Sequence, residues 1–461
     1  MTNSLIEYLK NKKILILGFG LEGYSTYKFI RKHLSNLKIY ISDSNENVLQ
    51  NYTDVLSDSN IEFIKKENYL KNLEEYDLII KTPGISFKNI DTSKFIDKIT
   101  SQLDLFLKFC NVFTIGVTGT KGKSTTSSLI YTIIHEQNEN VFLLGNIGTP
   151  LFDEIDNLNK DSIVVLELSS HQLEYVKSSV NIAILLNIFE EHLDHYKSYN
   201  HYIDAKLNIC KYQNENDYLL YNIDNNTLND NLKNCKIKSN NLFEISYNNN
   251  EKNFSNSNIV LHKNNKIILN NNTLYLDSPD RKLLGNHNLN NIMFAITVAH
   301  ILNLDLMKAC KSIYNFEPLP HRLEYVGIID GVKYYNDSIA TIPEAAINAI
   351  LTLGSVNTLI VGGKDRGVDL HDLINFLNTS NIENIICLPD TGWLISKHIT
   401  NSNINIYNVD NLNDAVKIAK KYTRKNEICL LSPAASSYGF FKNFQERGNL
   451  FKQLVQEDVT N

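Results

Sequence analysis

Short apolar segments alternate with segments of helical periodicity along most of this chain, and this alternation constrains the fold more than any other feature. Continuously apolar strands separated by helices are typical of parallel sheets covered by helices on both faces. The alternation therefore predicts an α/β protein. The apolar segments are KILILGFG, KIYISD, YDLIIKT, NVFTIGVTG, SIVVLELS, NIAILLNI, NTLIVGG, NIICLPD and EICLLSP.

The 461-residue length is too great for one ordinary core, so the chain is expected to divide into domains. A helix predicted over DTSKFIDKITSQLDLFLKFC marks one boundary near 101, and the prolines of NFEPLPHRLE mark another near 317. Between about 213 and 280, short alternating segments with Asn turns predict a small antiparallel insertion. We expect a Rossmann-like parallel sheet, a central P-loop ATPase-type α/β domain with the insertion, and a C-terminal Rossmann-like domain, over residues 1–101, 102–316 and 317–461.

Charge and cysteine content exclude several classes of protein. The formal net charge is -6 and no basic stripe is visible, which argues against a nucleic-acid partner. The six cysteines form no CxxC pair and no metal-ligand spacing, as is typical of reduced thiols in the cytoplasm. No apolar run approaches the length of a signal peptide or a membrane span. We expect a cytoplasmic, monomeric protein with neither a nucleic-acid nor a membrane partner.

The segment GVTGTKGKST joins an apolar strand to a helix. Such a loop directs backbone N–H groups to one point, where the helix dipole adds positive potential. The P-loop pattern is met at Gly122, Lys123 and Ser124, although Val117 stands where its first glycine is expected. The pattern predicts a phosphate site in which Gly119 and Gly122 allow close backbone approach, Lys123 meets the β and γ phosphates and the Ser124 hydroxyl binds Mg²⁺. A structural turn is the alternative.

A second glycine-rich turn lies in ILGFGLEG. Gly18, Gly20 and Gly23 follow a strand, and Asp43 follows the next strand, which together form the dinucleotide-binding fingerprint. The turn predicts a nucleotide site, which could also accept ligands other than NAD. A tight βα turn without a ligand is the alternative.

Two strands of the central domain end in groups suited to a divalent metal. Glu167 ends the strand in VVLELSSHQLE, and Asn187 and His192 follow the next one. Open α/β sheets bind ligands at this edge, and Mg²⁺ prefers oxygen ligands, with His an unusual addition. A hydrogen-bonded surface histidine is the alternative for His192.

Nine motifs occur in an order found in one family. They are VTGTKGKSTT, GNIGTP, LELSSHQLE, EEHLDHY with YIDAKLNIC, LLGNHNLNN, LPHRLE, NDSIAT, GGKDRGVD and LLSPAASSYGFFKNFQERG. Over nearly its whole length the chain resembles the ATP-dependent Mur ligases, and within them the branch that adds D-glutamate to UDP-N-acetylmuramoyl-L-alanine in cytoplasmic peptidoglycan precursor synthesis. The resemblance implies a C–N ligase that uses ATP and two Mg²⁺ ions and works through an acyl phosphate.

The resemblance also implies substrate sites. The first domain would bind UDP rather than NAD. Asn146 and His192 would contact the muramoyl group of the substrate or a magnesium ion. The UDP residues would be Gly20, Leu21, Asp43, Ser44 and Gly84. ATP would be bound by Gly119, Thr120, Lys121, Gly122, Lys123, Ser124, Thr125, Asn288, Asn291, Arg322 and Asp337.

The catalytic groups implied by the resemblance include the metal ligands. Ser124 and Glu167 would hold one Mg²⁺, and His192 and a carbamylated Lys206 the other. A carbamate would turn the Lys206 stem into an anionic metal ligand, whereas an ammonium would be repelled by the metal. By residue type alone, Lys206 would be a solvent-facing helix lysine. Lys123, Arg322 and Asp337 complete the implied catalytic set.

The implied amino-acid pocket departs from the commoner pattern of the family. It comprises Thr341, Arg366, Ser437, Tyr438 and Phe441. Ile339 stands where lysine is usual, Arg366 where lysine is frequent, and Tyr438 and Gly439 where leucine and aspartate are usual.

These departures leave a related Mur-type ligase that adds L-glutamate or another amino acid as the alternative. More distant alternatives are a folylpolyglutamate-type ligase, a noncatalytic nucleotide-binding regulator and a nicotinamide oxidoreductase. The UDP-type first domain argues against the folate enzyme, and the intact catalytic set argues against the regulator. NADH fluorescence would test for the oxidoreductase.

Overall fold

The computed structural model describes residues 2–64, 66–248, 258–263, 266–270, 272–276 and 281–457. They form three sheets flanked by helices, and all nine predicted strands are present. By internal contacts the chain divides into two compact units, Met1–Arg281 with His287–Phe316 and Lys282–Asn286 with Glu317–Asn461. Among the described residues, no helix is long and apolar enough to cross a membrane.

The N-terminal sheet is parallel with the strand order β3-β2-β1-β4-β5, as in a Rossmann half. Every residue of β1 is buried, as expected of a central strand covered on both faces. The strands are β1 (Ile14–Leu17), β2 (Ile39–Ser42), β3 (Ile61–Ile64), β4 (Leu78–Lys81) and β5 (Ile99–Thr100). The helices are α1 (Asn3–Leu9), α2 (Leu21–His33), α3 (Thr53–Leu56) and α4 (Gln102–Phe109).

The helix predicted over DTSKFIDKITSQLDLFLKFC is wrong in its first half. The α-helix α4 begins only at Gln102, after β5 has paired with β4. Ser101 fixes this start because its hydroxyl accepts a hydrogen bond from the backbone N–H of Asp104 at 3.1 Å.

The central sheet has the order β14-β13-β12-β11-β10-β9-β6-β8-β7 within the described residues. Its strand β6 lies between β8 and β9, so the loops after these three strands meet at one edge of the sheet. The strands are β6 (Phe113–Thr118), β7 (Val141–Gly145), β8 (Ile163–Glu167), β9 (Ile182–Leu185), β10 (Tyr218–Asn222), β11 (Asn241–Ser246), β12 (Asn258–Lys263), β13 (Lys266–Leu269) and β14 (Asn272–Leu276). The helices are α5 (Lys123–His135), α6 (Leu151–Glu154), α7 (Ser170–Leu173), α8 (Tyr199–Lys211), α9 (Asn226–Lys233), α10 (Asn286–Ile301) and α11 (Leu306–Asn315).

The small antiparallel insertion predicted between about 213 and 280 is confirmed, within the described residues, for the strands β12, β13 and β14. Strands β10, β11 and β12 continue the parallel sheet, and the antiparallel pairs among the described residues of this stretch are β12–β13 and β13–β14. The Asn-rich turns hid one parallel connection, β10–α9–β11, because Asn residues flank β10 and β11 as well. Residues 249–257, 264–265, 271 and 277–280 of this stretch lie outside the described residues.

The C-terminal sheet has the order β15-β16-β20-β17-β18-β19. Only the edge pair β15–β16 is antiparallel, so the sheet is a Rossmann-like parallel sheet with one added edge strand. The strands are β15 (Glu324–Ile329), β16 (Val332–Asn336), β17 (Val356–Gly363), β18 (Asn384–Asp390), β19 (Asn405–Asn408) and β20 (Ile428–Leu431). The helices are α12 (Pro343–Leu353), α13 (His371–Thr379), α14 (Thr391–Ser396), α15 (Leu412–Tyr422) and α16 (Phe444–Gln456).

Candidate active site

The glycine-rich loop leaves β6 and enters α5, as the sequence predicts. Gly122 has a φ of +88°, and a Cβ there would lie 2.7 Å from Oδ1 of Asn291. A Cβ on Gly119 would lie 2.9 Å from a neighbouring side chain. Both glycines are therefore required by the local backbone and packing, and the N-terminus of α5 is left open for an anion.

Two lysines meet at this loop. Nζ of Lys123 donates hydrogen bonds to the carbonyl oxygens of Gly119 and Thr120, each at 2.9 Å. Nζ of Lys206, on α8, donates to the same Gly119 oxygen at 2.8 Å. Burial, and then the charge of Lys123, lower the pKa of Lys206 well below its usual range. Lys206 is 2% exposed, which excludes the solvent-facing alternative.

The loop is held by residues that follow β9. Asn187 accepts a hydrogen bond from the backbone N–H of Lys121 through Oδ1 at 2.8 Å, and its backbone oxygen accepts from Thr120 N–H at 2.9 Å. The Thr120 hydroxyl lies 2.8 Å from the hydroxyl of Tyr202. The Lys121 ammonium pairs with Glu191 at the surface. Asn187 and Thr120 therefore act as supports that fix the loop's conformation.

Glu167 lies at the end of β8, where the sequence predicts it. Its Oε1 accepts a hydrogen bond from Nδ2 of Asn146 at 2.7 Å. Its Oε2 is buried and has no hydrogen-bond partner among the described residues. A buried carboxylate oxygen without a donor suits a cation, so the site fits a Mg²⁺ ion that takes its other ligands from hydroxyl or phosphate oxygens. No group of three His, Cys, Asp or Glu side chains that could hold a metal ion occurs in the described part of the chain.

His192 is half-exposed and has a φ of +60°. Burial lowers the pKa of His192 and the charges of Lys206 and Lys123 act in the same direction, although the carboxylates of Glu191 and Asp194 oppose them. The ring of His171 lies 4.7 Å from that of His192, centroid to centroid. A neutral imidazole at this place is the form that can bind a metal.

A polar network beside His192 was missed by the sequence analysis. Nε2 of His195 lies 3.1 Å from Oε2 of Glu174, and the same oxygen pairs with the buried ammonium of Lys81 at 3.2 Å. His171 packs against His195 with ring centroids 4.2 Å apart. Lys81 ends β4 of the first sheet, so the network joins the first and central sheets within one compact unit. The signal available was the HLDHY spacing, which puts a second histidine three residues after His192.

The predicted UDP residues surround the turn after β1. A Cβ on Gly18 would lie 2.0 Å from Oγ1 of Thr82, whereas a Cβ on Gly20 or Gly84 would meet nothing within 4 Å. Oδ2 of Asp43 accepts a hydrogen bond from the backbone N–H of Phe19 at 2.7 Å. The turn is therefore held by Asp43, with open space at Gly20 and Gly84. Leu21 is 76% exposed and Ser44 is also exposed.

Asn288 and Asn291 lie in the first turns of α10 and are buried. Nδ2 of Asn291 donates to Oδ1 of Asn288 at 2.9 Å. Oδ1 of Asn291 lies beside Gly122, which places this asparagine pair against the glycine-rich loop. Thr125 and Ser124 follow in the first turn of α5.

Asp337 follows β16 in the C-terminal unit and is almost fully buried. Its Oδ2 accepts from the Ser432 hydroxyl at 2.8 Å, and its Oδ1 accepts from the backbone N–H of Leu323 at 3.1 Å. Burial raises the pKa of Asp337 to about 7, although the nearby charge of Arg322 acts in the opposite direction. Asp337 and Arg322 are therefore near enough for the charge of one to act on the other.

The raised pKa of Asp337 makes its contribution to stability depend on pH. Because the folded state keeps this proton up to about pH 7 and the unfolded state loses it near 3.8, wild-type stability falls as pH rises between these values. We expect Asp337→Asn, which stays neutral, to gain about 2 kcal/mol of unfolding free energy relative to wild type between pH 5 and pH 8. Urea unfolding of both proteins at the two pH values measures this difference. An equal difference at both would contradict the assignment.

The predicted amino-acid residues lie around two neighbouring pockets of the C-terminal unit. Ser437 and Phe441 line a cavity of about 510 Å³, and Thr341 and Arg366 line a smaller pocket. Lys364 and Ser436 line the smaller pocket, where Lys364 N–H donates to the Ser436 oxygen at 2.8 Å, and their sequence neighbours Gly363 and Ser437 line the larger one. Tyr438 lines neither pocket and is largely exposed.

Comparison with known proteins finds two domains of one family in this chain. The model of the Mur ligase middle domain matches residues 117–299, and that of the Mur ligase, glutamate ligase domain matches residues 321–435. The chain is 34% identical to a UDP-N-acetylmuramoylalanine--D-glutamate ligase from Clostridium tetani and 33% identical to one from Clostridium novyi, covering 98% of both chains in each case.

Solved structures show the same fold. The ADP complex of the MurF ligase from Thermotoga maritima superposes with a TM-score of 0.58 at 15% identity, covering 98% of this chain and 96% of that one. The UDP-N-acetylmuramate-alanine ligase MurC of the same organism gives 0.59 at 16% identity, covering 96% and 99%. Together with the relatives of similar length, these matches show that the chain belongs to the Mur ligase family of ATP-dependent amide and peptide ligases.

Proposed function

We propose that the chain joins D-glutamate to UDP-N-acetylmuramoyl-L-alanine, with ATP converted to ADP and phosphate. The relatives that carry this activity in their names match nearly the full length of the chain at about a third identity. The observation that carries the proposal is the meeting of Lys123 and Lys206 at the Gly119 carbonyl, beside the open N-terminus of α5.

The chemistry begins with a carboxylate, which is a poor electrophile because its charge repels an incoming amine. A carboxylate oxygen of the alanyl group attacks the γ-phosphorus of ATP, and ADP leaves. The amine of glutamate then attacks the acyl carbon and loses a proton. The bond between the acyl carbon and the bridging oxygen breaks as the amide forms, and inorganic phosphate leaves with that oxygen, which came from the carboxylate. Such reactions depend on positioning and on neutralising phosphate charge. Lys123 and the backbone N–H groups of the loop supply that positive potential.

Ser124 and Glu167 would hold one Mg²⁺, and His192 with a carbamylated Lys206 would hold the other. The ions would neutralise phosphate oxygens and the acyl oxygen. Support for the first site is the buried Oε2 of Glu167, which has no hydrogen-bond partner within the described residues. Support for the second site is the lowered pKa of His192, which favours its neutral imidazole, together with the ring of His171 and the charges of Lys206 and Lys123 close to it.

Carbamylation of Lys206 requires an uncharged amine to react with CO₂. Burial of the side chain and the neighbouring Lys123 charge both favour the uncharged form, which is the form that reacts. The resulting carbamate would balance positive charge at a place where two ammonium groups otherwise share one carbonyl oxygen.

Each of the three predicted domains would bind a different substrate. Residues 1–101 would bind UDP at the turn held by Asp43, residues 102–316 would bind ATP, and residues 317–461 would bind the amino acid. Asn146 and His192 would face the muramoyl substrate or a magnesium, and Asn288 and Asn291 the adenine. UDP would be contacted by Gly20, Leu21, Ser44 and Gly84. ATP would be contacted by Arg322 and Asp337. The glutamate would be contacted by Thr341, Arg366, Ser437, Tyr438 and Phe441.

Phosphate release tests the function. The enzyme is incubated with ATP, Mg²⁺ and UDP-N-acetylmuramoyl-L-alanine, and D-glutamate, L-glutamate or no amino acid is added. Release that depends on D-glutamate supports the proposal. Release that depends on L-glutamate supports the alternative raised by Ile339 and Tyr438, a Mur-type ligase that adds L-glutamate. Release that does not depend on the muramoyl nucleotide contradicts both activities.

A further inference from the structure

The segment FQERG at the start of α16 has no role in the proposed reaction, yet it contains the largest fully buried side chain of the described residues, Arg447. Arg447 is 1% exposed, and burial alone lowers its pKa to about 10. No carboxylate pairs with it within the described residues. A buried guanidinium without a counter-ion is costly, so its hydrogen bonds have to offset the cost of burial.

Arg447 ties together two loops that follow adjacent parallel strands. Its Nε donates to the Ser338 hydroxyl at 3.0 Å, and its Nη2 donates to the Ser338 carbonyl oxygen at 2.8 Å. Both terminal nitrogens also donate to the carbonyl oxygen of Ala435 at 3.2 Å. Ser338 adjoins Asp337, and Ala435 lies two residues before Ser437. One planar group therefore fixes the spacing between the loop of Asp337 and the loop of Ser437.

The next residue, Gly448, packs against a third loop, the one that contains His321 and Arg322. A Cβ at Gly448 would lie 2.2 Å from Nδ1 of His321, so only glycine allows this approach. Nδ2 of Asn336 lies 2.9 Å from His321 Nδ1 and donates to the Gly448 oxygen at 3.3 Å. His321 has a φ of +65° and precedes Arg322. The Arg447–Gly448 turn thus contacts all three loops that carry Arg322, Asp337 and Ser437.

We infer that Arg447 is a positioning residue for the ligase reaction, which holds the nucleotide-side groups Arg322 and Asp337 in register with the amino-acid pocket at Ser437. The inference rests on the proposed function. Misplacing reactive groups by about 1 Å can cost on the order of 100-fold in rate. We therefore expect loss of Arg447 to lower kcat/KM for glutamate about 100-fold and to leave the binding of UDP-N-acetylmuramoyl-L-alanine within about twofold of wild type, since that site belongs to the other compact unit.

The test compares Arg447→Met, Arg447→Lys and the control Arg424→Met. Arg424 is an exposed arginine of the same unit, paired with Glu383 at the surface. Kinetics with varied glutamate and ATP are combined with calorimetric titration of UDP-N-acetylmuramoyl-L-alanine. We expect Arg447→Lys to keep part of the kcat/KM that Arg447→Met loses, because an ammonium can hydrogen-bond to one loop but lacks the planar guanidinium that bonds to both. Arg424→Met is expected to behave as wild type.

Should Arg447→Met fail to fold, Ser338→Ala provides the second variant, since it removes one acceptor of Arg447 at little cost in volume. For Ser338→Ala we expect kcat/KM for glutamate to fall about tenfold with muramoyl-nucleotide binding unchanged. Wild-type kinetics in Ser338→Ala or in a folded Arg447→Met would overturn the inference. Absence of glutamate-dependent phosphate release from both wild type and Arg424→Met would instead overturn the proposed function, and the inference with it.

Discussion

Lys206→Ala is expected to lower glutamate-dependent phosphate release about 1000-fold while the protein remains folded, because the change removes a preorganised charged group at the reacting centre. The native side chain is buried at the Gly119 carbonyl, and among the described residues no carboxylate forms an ion pair with it, although the charge of Glu191 acts on it. Its removal therefore relieves an electrostatic cost while it opens a small cavity. Steady-state kinetics and circular dichroism measure the two effects.

The control for this change is Lys211→Ala on the same helix, α8. Lys211 is exposed, and its ammonium lies over the ring of Tyr212, far along the helix from the loop. We expect wild-type kinetics from this control. A small carboxylate such as acetate should restore part of the activity of Lys206→Ala, because it can supply the anion that a carbamate would provide. Near-normal turnover of Lys206→Ala without added carboxylate would contradict the carbamate role.

Lys123→Met is expected to lower kcat by a similar factor, about 1000-fold, because a positive charge aimed at the transferred phosphoryl group is lost. The side chain of methionine keeps the aliphatic stem but gives up the hydrogen bonds to Gly119 and Thr120. Binding of ATP should weaken less than turnover falls, since the backbone N–H groups of the loop remain.

The neighbouring Lys121→Met makes the matched comparison for Lys123→Met. Both changes remove one ammonium from the same loop, but that of Lys121 lies at the surface and pairs with Glu191. A loss below about tenfold is expected from Lys121→Met, as for a screened surface charge. Equal losses from the two variants would show that net charge, rather than the placement of Lys123, governs the reaction.

The strands that could be predicted from the sequence are those buried on both faces. All nine apolar segments form parallel strands, and β1 and β17 are buried throughout. Of the strands that were not predicted, β3 and β19 lie at sheet edges and carry partly exposed residues, so their sequences, IEFI and NIYN, lack a continuous apolar run. Edge strands meet solvent on one side, and hydrophobic periodicity does not report them.

The position of Lys206 shows where reasoning from residue type ends. A helical lysine is exposed by default, yet Tyr202, Lys206 and Ile209 lie on one buried face of α8. Their spacing of four and three residues was a usable signal, because it places the lysine in line with apolar neighbours. Only the packing of α8 against the loop after β6 shows that its ammonium meets Gly119.

Arg447 could not be found in this way, because its partners are two backbone oxygens and a serine hydroxyl that lie up to 109 residues away in sequence. Neither charge pairing nor periodicity predicts a guanidinium bound to carbonyl groups. The same holds for the Lys81–Glu174–His195 network, whose members come from two sheets. Candidate catalytic residues that follow strands, such as Lys123 and Glu167, could be predicted from the sequence. The side chains that hold the surrounding loops in place, such as Arg447, could not.

Oxygen-18 transfer tests the central claim, that a substrate carboxylate is activated by ATP before an amine captures it. UDP-N-acetylmuramoyl-L-alanine labelled with oxygen-18 in its carboxylate is turned over with ATP and D-glutamate, and the released phosphate is examined by mass spectrometry. The account predicts one labelled oxygen in each phosphate formed, carried over from the carboxylate through the acyl phosphate. Phosphate that carries no label from the carboxylate, formed at the same rate as the amide, would contradict it.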